Sequence, residues 1–164
     1  MDVENSTVIG AGMLFMASGC GSLLTKEQQE FLRTVKPDEQ YSVAELAKIL
    51  HTAHARSPEL MLATGRRWGS ANVAELEKRG ITSIKEALKA LPGIYAAHHK
   101  GDAGKITYED AGENAVTLTD DTPYPHEVLW GGAIAIATAL GAEDVQVEQS
   151  DDPMTATIRW EMEV

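Results

Sequence analysis

Lys105-Ile106-Thr107-Tyr108 alternates polar and apolar side chains, Ala111-Gly112 supplies a turn, and Ala115-Val116-Thr117-Leu118-Thr119 returns. A period of two, closed by glycine, is the mark of a β-hairpin. Asp120-Asp121-Thr122-Pro123 reads as a loop and helix start, with its carboxylates capping or facing water. From about Tyr124 to Leu140 the chain is apolar almost all round, as in a helix buried on most sides, and Gly141 stops it. Val145 and Val147 mark a third strand, Ser150-Asp151-Asp152-Pro153 a turn, and Ala156, Ile158, Trp160 and Met162 a fourth strand. Residues 105–164 are therefore expected to form a sheet part in β-β-α-β-β order.

Residues 1–104 read as helical. Thr25-Lys26-Glu27-Gln28, Ser42-Val43-Ala44-Glu45 and Ser83-Ile84-Lys85-Glu86 each have capping-box spacing ahead of an apolar stripe. Ser57-Pro58-Glu59 starts a further helix with proline at its first position, and Gly80 ends it. Pro92-Gly93 is expected to kink or break the last helix, because proline donates no backbone hydrogen bond. Helical spacing resumes at Ile94, Tyr95 and His98, and Gly101 and Gly104 close this half. Gly10 to Ser22 is rich in small residues and reads as a buried or interface helix. The expected class is α+β: N-terminal helices followed by a four-stranded antiparallel sheet. A chain of 164 residues fits a single domain spanning 1–164, since cores divide only beyond roughly 250 residues.

Hydrophobic residues at 43% and charged residues at 24% match globular chains and argue against disorder. The net charge of −11 repels phosphates and anionic lipid heads, so neither nucleic acid nor a membrane is expected as a partner. One cysteine, Cys20, excludes an internal disulfide or multi-thiolate metal site and agrees with a cytoplasmic setting. Val8 to Cys20 is similar to a short export core, but the stretch before it, Met1-Asp2-Val3-Glu4-Asn5, has two acids and no lysine or arginine, without the positive start that export needs. The run is also too short to cross a bilayer, which takes about 20 residues.

Phosphate-binding, dinucleotide, zinc-helix and nucleophile-elbow motifs are absent. The histidines and tryptophans are what remain to be weighed. His51 and His54 share a helical side but lack a third ligand; the plain reading is an exposed His51 and a hydrogen-bonded core His54. Tyr95 and His98 fall on the side that Leu91 and Ile94 bury, which points His98 inward as a candidate ligand-binding residue; it could equally cap the helix end before Gly101. His99 is its neighbour, and His126 reads as a surface residue in the first turn of the apolar helix. Trp68 and Trp130 are candidates to line a ligand site, Trp130 because Gly131-Gly132 leaves room beside an indole; core packing is the alternative for each.

Two stretches carry a resemblance. Val145-Gln146-Val147-Glu148-Gln149-Ser150-Asp151-Asp152-Pro153-Met154-Thr155-Ala156-Thr157-Ile158-Arg159-Trp160 resembles the last hairpin of 4-vinyl-reductase-type domains. Leu60-Met61-Leu62-Ala63-Thr64-Gly65-Arg66-Arg67-Trp68-Gly69 resembles the long helix of haem–nitric-oxide-binding domains. The resemblance implies a ligand-sensing fold in which a helix crosses between two hairpins. It also implies haem as a candidate cofactor, with a histidine on the helix before the sheet holding the iron; Tyr95, His98 and His99 fall there, and His98 is a metal ligand only in that case. The cysteines of the vinyl-reductase type are replaced by Gln149, Ser150, Met154 and Thr155, and the Tyr-x-Ser-x-Arg motif that grips haem propionates is missing.

The function expected from these features is a cytoplasmic sensory domain holding a small hydrophobic molecule between helices and sheet, at Trp68, Tyr95, His98, His99 and Trp130. One alternative is a homodimeric interaction module without ligand, joined through Gly10 to Gly21. The other is an enzyme with His98 or His99 as general base; the balance of motifs leans away from catalysis.

Overall fold

Residues 1–162 are described in the computed structural model, and its first element is extended rather than helical. β1 (Thr7–Ile9) runs directly into α1 (Gly10–Ala17). After α2 (Lys26–Thr34) come β2 (Gln40–Ser42), α3 (Val43–His54), α4 (Pro58–Lys78), α5 (Ile84–His98) and β3 (His99–Lys100). The three short strands pair antiparallel in the order β2-β1-β3, a small sheet not foreseen from the sequence, because strands this short show no periodicity. Gly10 is small for a reason internal to the chain: a Cβ there would run into the carbonyl of Lys36.

The helix starts follow local chemistry. Thr25 Oγ1 accepts from the Gln28 amide at 3.2 Å while Gln28 Oε1 accepts from the Thr25 amide at 3.1 Å, a complete capping box. Ser42 caps α3 through the Ala44 amide instead, and Glu45 turns to Lys48. Ser83 accepts from the Glu86 amide. At the end of α4, Gly80 takes φ +77°, its amide bonds the Glu77 carbonyl, and the Ile81 amide reaches the Leu76 carbonyl. That pair of bonds is a Schellman motif, which requires the left-handed backbone that glycine tolerates. Of the kink or break expected at Pro92, the break does not occur: α5 runs through it. Leu88, Leu91, Ile94 and Tyr95 are buried on both sides of the proline, and this packing outweighs one missing backbone bond.

The second half is β4 (Lys105–Gly112), β5 (Ala115–Asp121), α6 (His126–Ala139), β6 (Ala142–Gln149) and β7 (Thr155–Met162), so the β-β-α-β-β order is observed. The sheet is antiparallel throughout, in the order β4-β5-β7-β6. Because β7 lies between β5 and β6, α6 has to cross the sheet. Val116 and Leu118 of β5, Ile158 of β7 and Ile136 of α6 are fully buried in one core.

On its other side α6 packs on α4 almost backbone to backbone. A Cβ on Gly65 would overlap the Val128 carbonyl, and one on Gly131 would overlap the Leu62 carbonyl. The indole of Trp68 lies over Gly132. The room made by Gly131-Gly132 is thus taken by α4 and Trp68, whereas Trp130 is buried on another face of α6 beside His126.

Candidate functional site

Between the helical half and the sheet lies a cavity of about 430 Å³. Its walls come from α1, α4, α5, the adjacent ends of β4 and β5, and the segment entering α6. Ile9 and Phe15 line it while being 37% and 39% exposed, so the cavity meets solvent along β1 and α1. Trp68, Tyr95, His98 and His99 are all on its wall; Trp130 is not.

Helical geometry sorts the adjacent histidines. The buried stripe of α5 runs Leu88, Leu91, Tyr95 and continues by four residues to His99, not by three to His98. The inward orientation expected for His98 is therefore corrected: it is exposed at the rim, its Nδ1 turned back to the Ile94 carbonyl at 2.7 Å. His99 is half-buried and stacks on the Tyr95 ring, with centroids 4.1 Å apart. Its Nδ1 lies 2.8 Å from the Tyr95 carbonyl and its Nε2 2.8 Å from the Tyr124 hydroxyl.

A carbonyl can only accept, so Nδ1 of His99 carries the proton. Nε2 of the neutral ring then accepts from Tyr124. Burial holds the His99 pKa below its ordinary value, against the pull of the Tyr95 carbonyl. Burial also pushes the Tyr95 and Tyr124 hydroxyls well above the usual tyrosine range. Tyr95 donates to the Ala103 carbonyl at 2.6 Å. The cluster is neutral, and its donors run from Tyr124 to His99 and from His99 and Tyr95 to backbone carbonyls.

Asp120 is the residue least expected here. Its sequence context reads as a turn, yet β5 extends through it, and it follows Val116 and Leu118 on the inward face at 2% exposure. Its Oδ2 receives His126 Nδ1 at 3.0 Å, and that hydrogen bond lifts the His126 pKa above its ordinary value, with partial burial opposing. The alternation Val116, Leu118, Asp120 was the available sign in the sequence; Tyr124, fixed between Pro123 and Pro125, carried none. His126, read as a surface residue, is half-buried in this pair.

His51 and His54 do not converge on a metal. Nε2 of His51 meets the Pro123 carbonyl at 2.8 Å and Nε2 of His54 meets Glu127 Oε1 at 2.9 Å. Among the described residues no group of three or more His, Cys, Asp or Glu side chains is placed to hold a metal ion, and no helix is long and apolar enough to cross a membrane.

Helices laid against a sheet in β-β-α-β-β order, with an apolar cavity between them, define an α+β class with an internal pocket. Solved structures similar to it in fold include haem–nitric-oxide-binding (H-NOX) domains. The Fe(II) unliganded H-NOX protein from K. algicida superposes with a TM-score of 0.62 at 11% identity, over 94% of this chain and 96% of that one. A point mutant of T. Tengcongensis H-NOX gives 0.56 at 12% identity, over 94% and 95%. An oxygen-binding H-NOX domain related to soluble guanylate cyclases gives 0.60 at 10% identity, over 93% and 91%. At such identities the likeness is one of fold. No family model matches the chain, and no curated protein matches it in sequence.

The wall of this cavity does not fit a haem. His99 has the tautomer of a metal-bound imidazole, with Nδ1–H on a backbone carbonyl, but its Nε2 is engaged by Tyr124. The propionates of haem call for cations or strong donors. Among the described residues no lysine or arginine lines the cavity, and the one acidic side chain on its wall is Asp120.

Proposed function

We propose that residues 1–164 act as one ligand-binding sensory domain, its helical and sheet parts enclosing a small, largely apolar molecule. The cavity of about 430 Å³ between those parts carries this reading. Its volume lies within the range of small-molecule pockets, about 300–1,000 Å³, and apolar and aromatic side chains dominate its wall. Trp68, Tyr95 and His99 are the proposed contact residues, with His98 at the rim. Cys20, buried and free, is in keeping with a cytoplasmic setting.

The way a ligand would be reported is also built on this wall. α1 covers the cavity and is tied down at its ends. The Gly10 amide bonds the Glu39 carbonyl and the Ala11 amide the Pro37 carbonyl at its start. Arg67 of α4 grips Ser18 at its end, through Nη1 to Oγ and Nη2 to the carbonyl, each at 2.7 Å. A ligand that fills the space beneath Phe15 shifts α1 against this clasp and changes the apolar face the domain shows to a partner.

Thermal unfolding with small neutral aromatic and aliphatic compounds tests the reading. The expected result is a rise in Tm with concentration, as binding to the folded state requires. Ala71→Trp, which fills the cavity from α4, should abolish that rise. Haem added to the protein should keep the broad Soret band of free haem, without the sharpening and shift that axial ligation by a protein gives. Absence of any shift with every compound would remove the ligand reading.

A further inference from the structure

Among the described residues, Oδ1 of Asp120 is the one buried side-chain oxygen or nitrogen with no hydrogen-bond partner. The residue is 2% exposed and lies on the cavity wall, with its other oxygen already held by His126. A carboxylate oxygen left dry and unpaired is strongly unfavourable, so such an oxygen in a pocket marks a place for a donor. The same cavity is lined by Phe15, Trp68, Tyr95 and Tyr124, whose ring faces attract cations. Among the described residues no group of three or more His, Cys, Asp or Glu side chains surrounds this oxygen to hold a metal ion, whereas the aromatic wall suits an organic cation.

We infer that Asp120 anchors the positively charged, hydrogen-bond-donating head of an otherwise apolar ligand, an aryl- or alkylamine whose hydrocarbon part fills the aromatic cavity. This rests on the proposed reading of the cavity as a ligand site and names the class of ligand. The ammonium donates to the buried Asp120 Oδ1, a charge-assisted bond, while His126 keeps the carboxylate oriented through Oδ2. Anionic ligands of the same shape are repelled by Asp120, which accounts for a haem-type fold whose wall opposes propionates.

Calorimetric titration of the full chain with phenethylamine, propylbenzene and phenylpropionate separates the possibilities. The three share a hydrocarbon body and differ in the charge of the head. Phenethylamine should bind about tenfold or more tightly than propylbenzene, and phenylpropionate weakest. Asp120→Asn should erase the preference for the amine while leaving propylbenzene binding in place. Should Asp120→Asn fail to fold, the ranking on the unaltered protein decides alone. Equal affinity for phenethylamine and propylbenzene would overturn this inference and leave the cavity reading standing. Binding of none of the three would overturn both.

Discussion

Asp120 and His126 face each other where β5 gives way to α6, with His126 Nδ1 3.0 Å from Asp120 Oδ2. The contact joins the end of the first hairpin to the first turn of the crossing helix, beside the cavity that separates the two halves of the molecule.

This pair and His99 make stability depend on pH in opposite directions. The His126 pKa is raised chiefly by its hydrogen bond to Asp120, with Glu127 and Asp152 adding negative charge nearby. Its contribution is fully present below the unfolded-state value of roughly 6.5 and is lost as pH rises through the folded-state value. His99 is kept neutral by burial, so below roughly pH 6.5 only the unfolded chain takes up a proton there, and stability falls with pH. Urea unfolding across the imidazole range should therefore show a maximum near pH 6.5. His126→Gln should flatten the upper limb and His99→Gln the lower limb. Unchanged profiles in both variants would refute the assignment.

Glycine has opposite consequences at two helical sites. Gly65→Ala forces a methyl group into the Val128 carbonyl and should cost about 1–3 kcal/mol or more. Gly93→Ala meets nothing within 4 Å on an exposed face of α5 and should gain about 0.5–1 kcal/mol. Chemical denaturation of the two variants checks the pair. A neutral Gly65→Ala would mean that α4 and α6 are not in close backbone contact.

Tyr124→Phe removes the donor to His99 Nε2 and leaves a buried acceptor unpaired. The expected loss is about 1–3 kcal/mol. The Nε2 resonance of His99 should move while Nδ1 keeps its proton on the Tyr95 carbonyl, and an unshifted Nε2 would argue against this hydrogen bond.

Arg67→Ala releases Ser18 and with it the end of α1. Amide exchange should quicken across Gly10–Ala17 while global stability drops by about 1 kcal/mol. If exchange in α1 stays as slow as in the unaltered protein, Arg67 does not hold the helix in place.

Much of the architecture is legible in the chain, and the reasons differ by element. β4 and β5 were recognised because their periodicity of two is local and glycine closes the turn. α2 and α5 were recognised because Thr25 and Ser83 sit at cap spacing. The small sheet was missed because its strands are too short to show a period, and the choice between a kink and a break at Pro92 stayed open because tertiary burial, which the local pattern does not show, outweighs the penalty of the proline. At the site, Tyr95 and Trp68 fall on the cavity wall, whereas His98 sits at its exposed rim because one residue of helical phase separates it from His99. Asp120 was obscured by neighbours that imitate a turn.

Residue order alone establishes the α+β class, the β-β-α-β-β succession and most helix starts, since alternation, capping and glycine stops act over a few residues. Tertiary structure alone decides what the polar side chains near the cavity do. Whether His99 or His98 turns inward, whether Trp68 or Trp130 borders the cavity, and whether Asp120 is dry or solvated all depend on how α4, α5 and α6 are seated against the sheet. Those placements bring together Tyr95 and Tyr124, or His51 and Pro123, from distant parts of the chain. No local pattern encodes such distances; they arise from close packing between elements, of which the near backbone contact of α4 with α6 at Gly65 and Gly131 is one case.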